Sequence, residues 1–182
     1  MARVNTIDYV TIASAGNATD FGDLTVARDS AGSCSSTTRG LFGGGNGASI
    51  YNTIDYVTIA TTGNATDFGD LTAARFGVAG VSSSTRGVFG GQNDGATIDY
   101  VTIASTGNAT DFGDFAANRW YVAGACSKIT GVFAGGLTVG DAPVNEISSI
   151  TIASTGNATD YGDLLSVAYA AAGASSTHGG LA

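Results

Sequence analysis

The phrase Gly-Asn-Ala-Thr-Asp-Phe-Gly-Asp stands four times in this chain, at Gly16 to Asp23, Gly63 to Asp70, Gly107 to Asp114 and Gly156 to Asp163, the last copy with Tyr161 for phenylalanine. Successive copies are 47, 44 and 49 residues apart. A period of this size means one supersecondary unit per repeat, and such a unit buries its apolar faces only by stacking on its neighbours. The chain is therefore a repeat array, to be read unit by unit.

In the clearest unit, Arg86-Gly87-Val88-Phe89 is an apolar run stopped by the pair Gly90-Gly91, which predicts a strand. A polar connection from Gln92 to Ala96 leads into Thr97-Ile98-Asp99-Tyr100-Val101-Thr102-Ile103, dense in β-branched and aromatic residues. The Gly107-Asn108 pair tolerates positive φ and reverses the chain into Thr110 to Phe115, making a hairpin. The small residues from Phe76 to Ser83 supply the remaining strand, so each period holds four. Helical apolar spacing is absent, and the only proline, Pro143, lies in a connection. The strand Ile7 to Ala13 is apolar on both faces, Ile7 and Tyr9 against Val10 and Ile12. Four-stranded sheets stacked face to face around an axis need this, so the expected fold is all-β, a β-propeller of four-stranded antiparallel blades with four repeats per chain.

These features resemble the kelch repeat family. The likeness rests on the doublets Gly43-Gly44, Gly90-Gly91 and Gly135-Gly136, on the aromatic residue after each Gly-Asn turn, and on Arg28, Arg75 and Arg119 a few residues later. The near-identical wording of the copies is similar to kelch-like repeat proteins of marine bacteriophages. The fourth copy departs from the pattern, with Ala168 in place of the arginine and Ser149 in place of the tyrosine. The family's blade order, from innermost small-residue strand to aromatic outer strand, implies blades at 29–71, 76–115 and 121–164, with a fourth assembled from 170–182 and 4–24. The ring would then be closed by N-terminal outer strands pairing with C-terminal inner strands. That pairing has two forms: within one chain, giving four blades, or between chains, giving eight blades or an open filament.

A net charge of −8 repels nucleic acid and anionic membrane surfaces, so neither is an expected partner. No apolar run reaches the length of a membrane span or a secretion signal. Cys34 and Cys126 do not make a disulfide framework, and two reduced thiols are expected. The aspartate pair Asp111/Asp114 and its counterparts supply too few oxygens for calcium; they are expected to bond turn amides or to pair with the arginine five residues beyond the second aspartate. His178 is the only histidine, no nucleophile elbow or phosphate loop is present, and no metal or cofactor is expected. The Asn-Ala-Thr acceptor sequons at Asn17, Asn64, Asn108 and Asn157 are explained by the turn itself.

Differences between the copies are concentrated in two connections. One follows the glycine doublet and includes Asn93 and Asp94; the other follows the repeated arginine, where Asp29, Phe76, Trp120 and Tyr169 occupy one position. In an up-and-down blade both emerge on one face. Phe76, Trp120, Tyr121 and Tyr169, with Asn93 and Asp94, are therefore the candidate partner-binding residues, weighed against simple packing of the rings between blades. The expected function is a non-enzymatic structural or recognition module, made without a signal peptide and belonging to a phage virion or extracellular assembly. Its expected partners are proteins or further copies of itself, with glycan as a further candidate. An intracellular kelch-type interaction adaptor and a carbohydrate-binding lectin are the alternatives.

Overall fold

A computed structural model of the chain describes residues 3–92 and 95–175. Among them all regular structure is strand. An antiparallel pair, β1 (Thr6–Tyr9) and β2 (Thr19–Asp23), comes first. The first four-stranded sheet is β3 (Gly32–Ser35), β4 (Arg39–Gly43), β5 (Thr53–Thr58) and β6 (Thr66–Asp70), in that order. The second is β7 (Ala79–Ser82), β8 (Arg86–Gly90), β9 (Thr97–Thr102) and β10 (Thr110–Asp114). A third begins with β11 (Ala123–Cys126) and β12 (Thr130–Ala134), passes through a small ribbon of β13 (Leu137–Thr138) and β14 (Ala142–Pro143), and is completed by β15 (Glu146–Thr151) and β16 (Thr159–Asp163). Every pairing is antiparallel, and each four-stranded sheet runs from its small-residue strand to its aromatic strand.

The repeated phrase is a clamp and its target in one. Its second half carries a β-bulge at glycine: Gly69 has φ +143, and its N–H donates to Asp67 Oδ1 at 3.2 Å. The first half of the next copy lies against that bulge. Gly107 N–H donates to Phe68 O and Ala109 N–H to Asp70 O, both at 2.7 Å, while Asp70 N–H donates to Asn108 Oδ1 at 3.1 Å. A Cβ on Gly69 would lie 2.5 Å from Gly107 backbone, so glycine is required twice over, by φ and by space. The same bonds join Phe21–Asp23 to Gly63–Ala65, and Phe112–Asp114 to Gly156–Ala158. Three clamps thus hold four outer hairpins in succession.

Between the sheets lies the core. Leu41, Ile54, Phe68 and Leu71 meet Val78, Phe89, Val101 and Ile103 between the first two sheets. Val81, Val88, Ile98 and Phe112 meet Val122, Phe133, Ile150 and Ile152 between the second and third. The middle sheet is apolar on both faces because it is covered on both. At the small-residue strands too the sheets approach closely: a Cβ on Gly80 would lie 2.2 Å from Ser33 O, and one on Gly124 2.9 Å from Gly80 O. There Ser35 N–H donates to Ser82 Oγ (3.3 Å), Ser82 N–H to Cys126 Sγ (3.5 Å) and Cys126 N–H to Ser175 Oγ (2.8 Å).

The first and last of the described residues lie on opposite sheets. The β1–β2 pair packs on the first sheet through Gly63–Ala65, and Gly173 and Ser175 lie on the third beside β11. The sheet that the sequence expects between them is not formed among the described residues. His178 and Gly180-Leu181-Ala182 lie outside those residues.

Candidate functional site

The residue after the variable position of each unit takes a left-handed conformation: φ is 56° at Ser30, 67° at Gly77, 54° at Tyr121 and 52° at Ala170. Three of these four are not glycine, so the conformation is imposed by the surroundings. Its cause is a chain of backbone bonds running from sheet to sheet. Gly77 N–H donates to Ser30 O (2.9 Å), Tyr121 N–H to Gly77 O (2.7 Å) and Ala170 N–H to Tyr121 O (2.9 Å). The connections after the glycine doublets join the same rim. Asp29 and Asn46 exchange both backbone bonds, Gln92 N–H donates to Arg119 O, and Trp120 and Leu137 exchange both bonds. The two variable connections of the repeat therefore meet in space on a common backbone frame.

The aromatic residues on this rim fare differently. Phe76 and Tyr121, from adjacent units, are half-buried and stack edge to face with centroids 5.8 Å apart. Trp120 is 8% exposed and is a packing residue of the third unit, so its ring is not offered to solvent. Tyr169 is 57% exposed. Asn93 and Asp94 lie outside the described residues. The exposed aromatic surface of the rim is thus the Phe76–Tyr121 pair and Tyr169.

Beneath the rim, a buried arginine ties each of the first three outer hairpins to the next sheet. Arg28 Nη2 donates to Asp55 Oδ2 (3.0 Å) and to Phe42 O (3.1 Å); Arg75 pairs with Asp99 and donates to Thr97 O (2.6 Å). All four side chains of these two ion pairs are fully buried. Thr25 and Thr72 donate to the same carboxylates through backbone and hydroxyl, which fills their lone pairs. In the third unit Ser148 replaces the aspartate. Arg119 donates to Ser148 Oγ (2.5 Å), with Glu146 Oε1 at 3.4 Å, so the negative charge has moved two residues along the same face. Burial lowers the pKa of all three guanidinium groups, that of Arg75 to about 10; Asp55 opposes this at Arg28 and Glu146 at Arg119.

The aspartate of the repeated phrase and the arginine five residues on do not pair. Asp20, Asp67, Asp111 and Asp160 each accept the bulge N–H two residues later, at 2.9 to 3.2 Å. The arginine instead reaches forward to an aspartate in the next unit's strand. Asp55 and Asp99 were not singled out from the sequence, although an aspartate inside an otherwise apolar strand in successive copies is the signal of a buried partner.

A cavity of about 400 Å³ lies along the small-residue strands, lined by Ser33, Cys34, Ser82, Cys126 and Ser175 among others. Its Ser82 and Ser175 hydroxyls and Cys126 sulfur are engaged in the bonds between strands described above, Ser82 Oγ also donating to Ser35 O (2.8 Å). Burial, then Cys126, pushes the Cys34 thiol upward, away from a reactive thiolate. Both cysteines are free. Among the described residues no three His, Cys, Asp or Glu side chains are grouped to hold a metal ion.

No family model and no curated protein matches the chain. Among solved structures it is similar to one titled "Structure of YjhT", with a TM-score of 0.69 and 10% sequence identity, over 82% of this chain and 56% of that one. The likeness is one of fold. The chain spans little more than half the length of that protein.

Proposed function

We propose that this chain is a non-enzymatic structural or recognition module built on the β-propeller plan, each four-stranded sheet a blade, which meets its partner through the rim bearing Phe76, Tyr121 and Tyr169. The observation that carries this reading is the sheet-to-sheet backbone chain from Ser30 through Gly77 and Tyr121 to Ala170. It holds one backbone shape while the side chains on it change from unit to unit, which is how a rigid scaffold displays a specific surface. Rigid aromatic side chains on such a frame give contact area at small entropy cost. Support for a non-enzymatic role comes from the buried polar groups. The buried arginines and carboxylates pair with one another, and the Ser82 and Ser175 hydroxyls along the cavity bond backbone, so these groups are occupied in holding sheets together.

The test is site-specific photocrosslinking of the full chain in the cells that make it. A photoreactive residue at Tyr169 or Phe76 is expected to give one discrete adduct, and the same residue at Thr61, just before the outer Thr62-Gly63-Asn64 turn, to give none. Equal capture from both places, or capture from neither, refutes the rim as the contact surface.

A further inference from the structure

We propose that the unengaged outer strand β16 and the unengaged turn of the β1–β2 hairpin mate between two copies of the chain, head to tail, by the same clamp that joins its units internally. Inside the chain that clamp is formed three times, always from the same atoms. An outer strand offers two carbonyls and one N–H around its bulge glycine, and the following Gly-Asn-Ala turn offers two N–H groups and the asparagine Oδ1. A fourth set is present but split. Its target, Tyr161-Gly162-Asp163, stands on β16 with the bulge already built: Gly162 has φ +133 and donates its N–H to Asp160 Oδ1 at 2.9 Å. Its clamp, Gly16-Asn17-Ala18, stands at the turn of the β1–β2 hairpin. Among the described residues nothing lies within 4 Å of a Cβ built on Gly162, whereas one on Gly22, Gly69 or Gly113 would meet the next copy's glycine backbone at 2.4 to 2.5 Å.

Side-chain burial tells the same story. Phe68 and Phe112 are 2% and 3% exposed where a clamp covers them, whereas Tyr161 is 65% exposed. Ala65 is buried within its clamp, whereas Ala18 is exposed. The β1–β2 pair sits on the first sheet and Gly173–Ser175 on the third, with no strand pairing between them among the described residues, so the open target and the open clamp face away from each other in one copy and are complementary between two. Contact between unlike faces propagates head to tail, and it stops only if a ring closes.

The new junction would differ from the internal ones in one respect. Asp8 occupies the place of Asp55 and Asp99, but the residues reaching it from the preceding unit would be Leu165 and Ala168, where the first two internal junctions have threonine and arginine. An aspartate left there without a cation weakens the contact, so the junction is reversible where the internal ones are permanent. This also makes it tunable: Ala168→Arg supplies the missing cation in the register used by Arg28 and Arg75.

The experiment is sedimentation velocity on the 182-residue chain over a wide concentration range. Wild type is expected to grow beyond one chain as concentration rises. Ala18→Arg and Tyr161→Arg, both at exposed positions, are expected to remain single with unchanged melting temperatures. Mixed together, they are expected to form two-chain complexes and nothing larger, since one sound face remains on each. Ala168→Arg should tighten association by at least about tenfold, and adding Asp8→Asn should cancel that gain. A wild type that stays single throughout overturns the proposal. So does a mixture that does not pair, or an Ala168→Arg chain that associates no more tightly than wild type.

Discussion

The middle sheet and the N-terminal pair contain the same seven residues in the same order, Thr97-Ile98-Asp99-Tyr100-Val101-Thr102-Ile103 and Thr6-Ile7-Asp8-Tyr9-Val10-Thr11-Ile12. Both fold into a hairpin with a bulge at the same glycine, and both set tyrosine edge-on to phenylalanine, with centroids 6.0 and 5.8 Å apart. Their burial is opposite. Ile103 is 1% exposed and Ile12 is 98%; Val101 is 3% and Val10 is 55%; Asp99 is sealed and Asp8 open. Local conformation therefore belongs to the sequence of one unit, while stability belongs to the contacts between units, as expected of a repeat array.

The hardest blow to that comparison is a change of the aspartate. Asp99→Asn leaves the buried Arg75 guanidinium without its counter-charge and is expected to cost about 3–5 kcal/mol, whereas Asp8→Asn should leave stability unchanged. Urea unfolding at a concentration where single chains prevail measures both. A loss of similar size from Asp8→Asn would mean that the N-terminal pair is covered after all. Next in size is the isoleucine. Ile103→Ala removes a side chain packed in the core and should cost about 2–5 kcal/mol, while Ile12→Ala should stay within about 0.5 kcal/mol. The clamp comes third: Asn108→Ala removes the acceptor of Asp70 N–H and should cost about 1 kcal/mol, and Asn17→Ala, with no outer strand to grip in the single chain, should cost nothing.

Strand-forming segments were legible because alternation, glycine pairs and Gly-Asn turns are local signals. The three four-stranded sheets lie within 29–71, 76–115 and 121–164, with the small-residue strand at one edge and the aromatic strand at the other. What the repeated phrase does was not legible. Gly-Asn-Ala reads as a turn and Asp-Phe-Gly-Asp as a strand, and only three dimensions show that each grips the other across units. The partner of the arginine was missed for the same reason. Proximity in sequence pointed five residues back to Asp70, but the bulge amide already occupies the other aspartate of the pair, and the guanidinium reaches forward 24 residues to Asp99. On the rim, chemistry alone could not separate Trp120 from Tyr169. Trp120 is buried at a backbone bridge to Leu137, whereas Tyr169 is exposed.

The smallest expected effect concerns an ion pair that ties the segment leading into the N-terminal pair to the rim. Arg3 Nε lies 2.6 Å from Asp29 Oδ2, and Arg3 Nη1 donates to Gly47 O at 3.0 Å. The side chains are 37% and 52% exposed, so solvent screens them, and Arg3→Ala should cost no more than about 0.2–1 kcal/mol. Its pH dependence has a definite sign. The hydrogen bond from Arg3 holds the Asp29 carboxyl below its ordinary pKa, so the unfolded chain binds that proton more readily than the folded one. The contribution is present above the ordinary carboxylate range and disappears as pH falls through the depressed value. Salt gives the sharper contrast with the middle of the molecule. At about 1 M ionic strength the screening length falls to about 3 Å, and the difference between wild type and Arg3→Ala should vanish. The cost of Asp99→Asn should survive, because Arg75 and Asp99 are closed to ions on every side. If both differences fade together in salt, the second sheet is not sealed between its neighbours, and the distinction between inner and outer units fails with it.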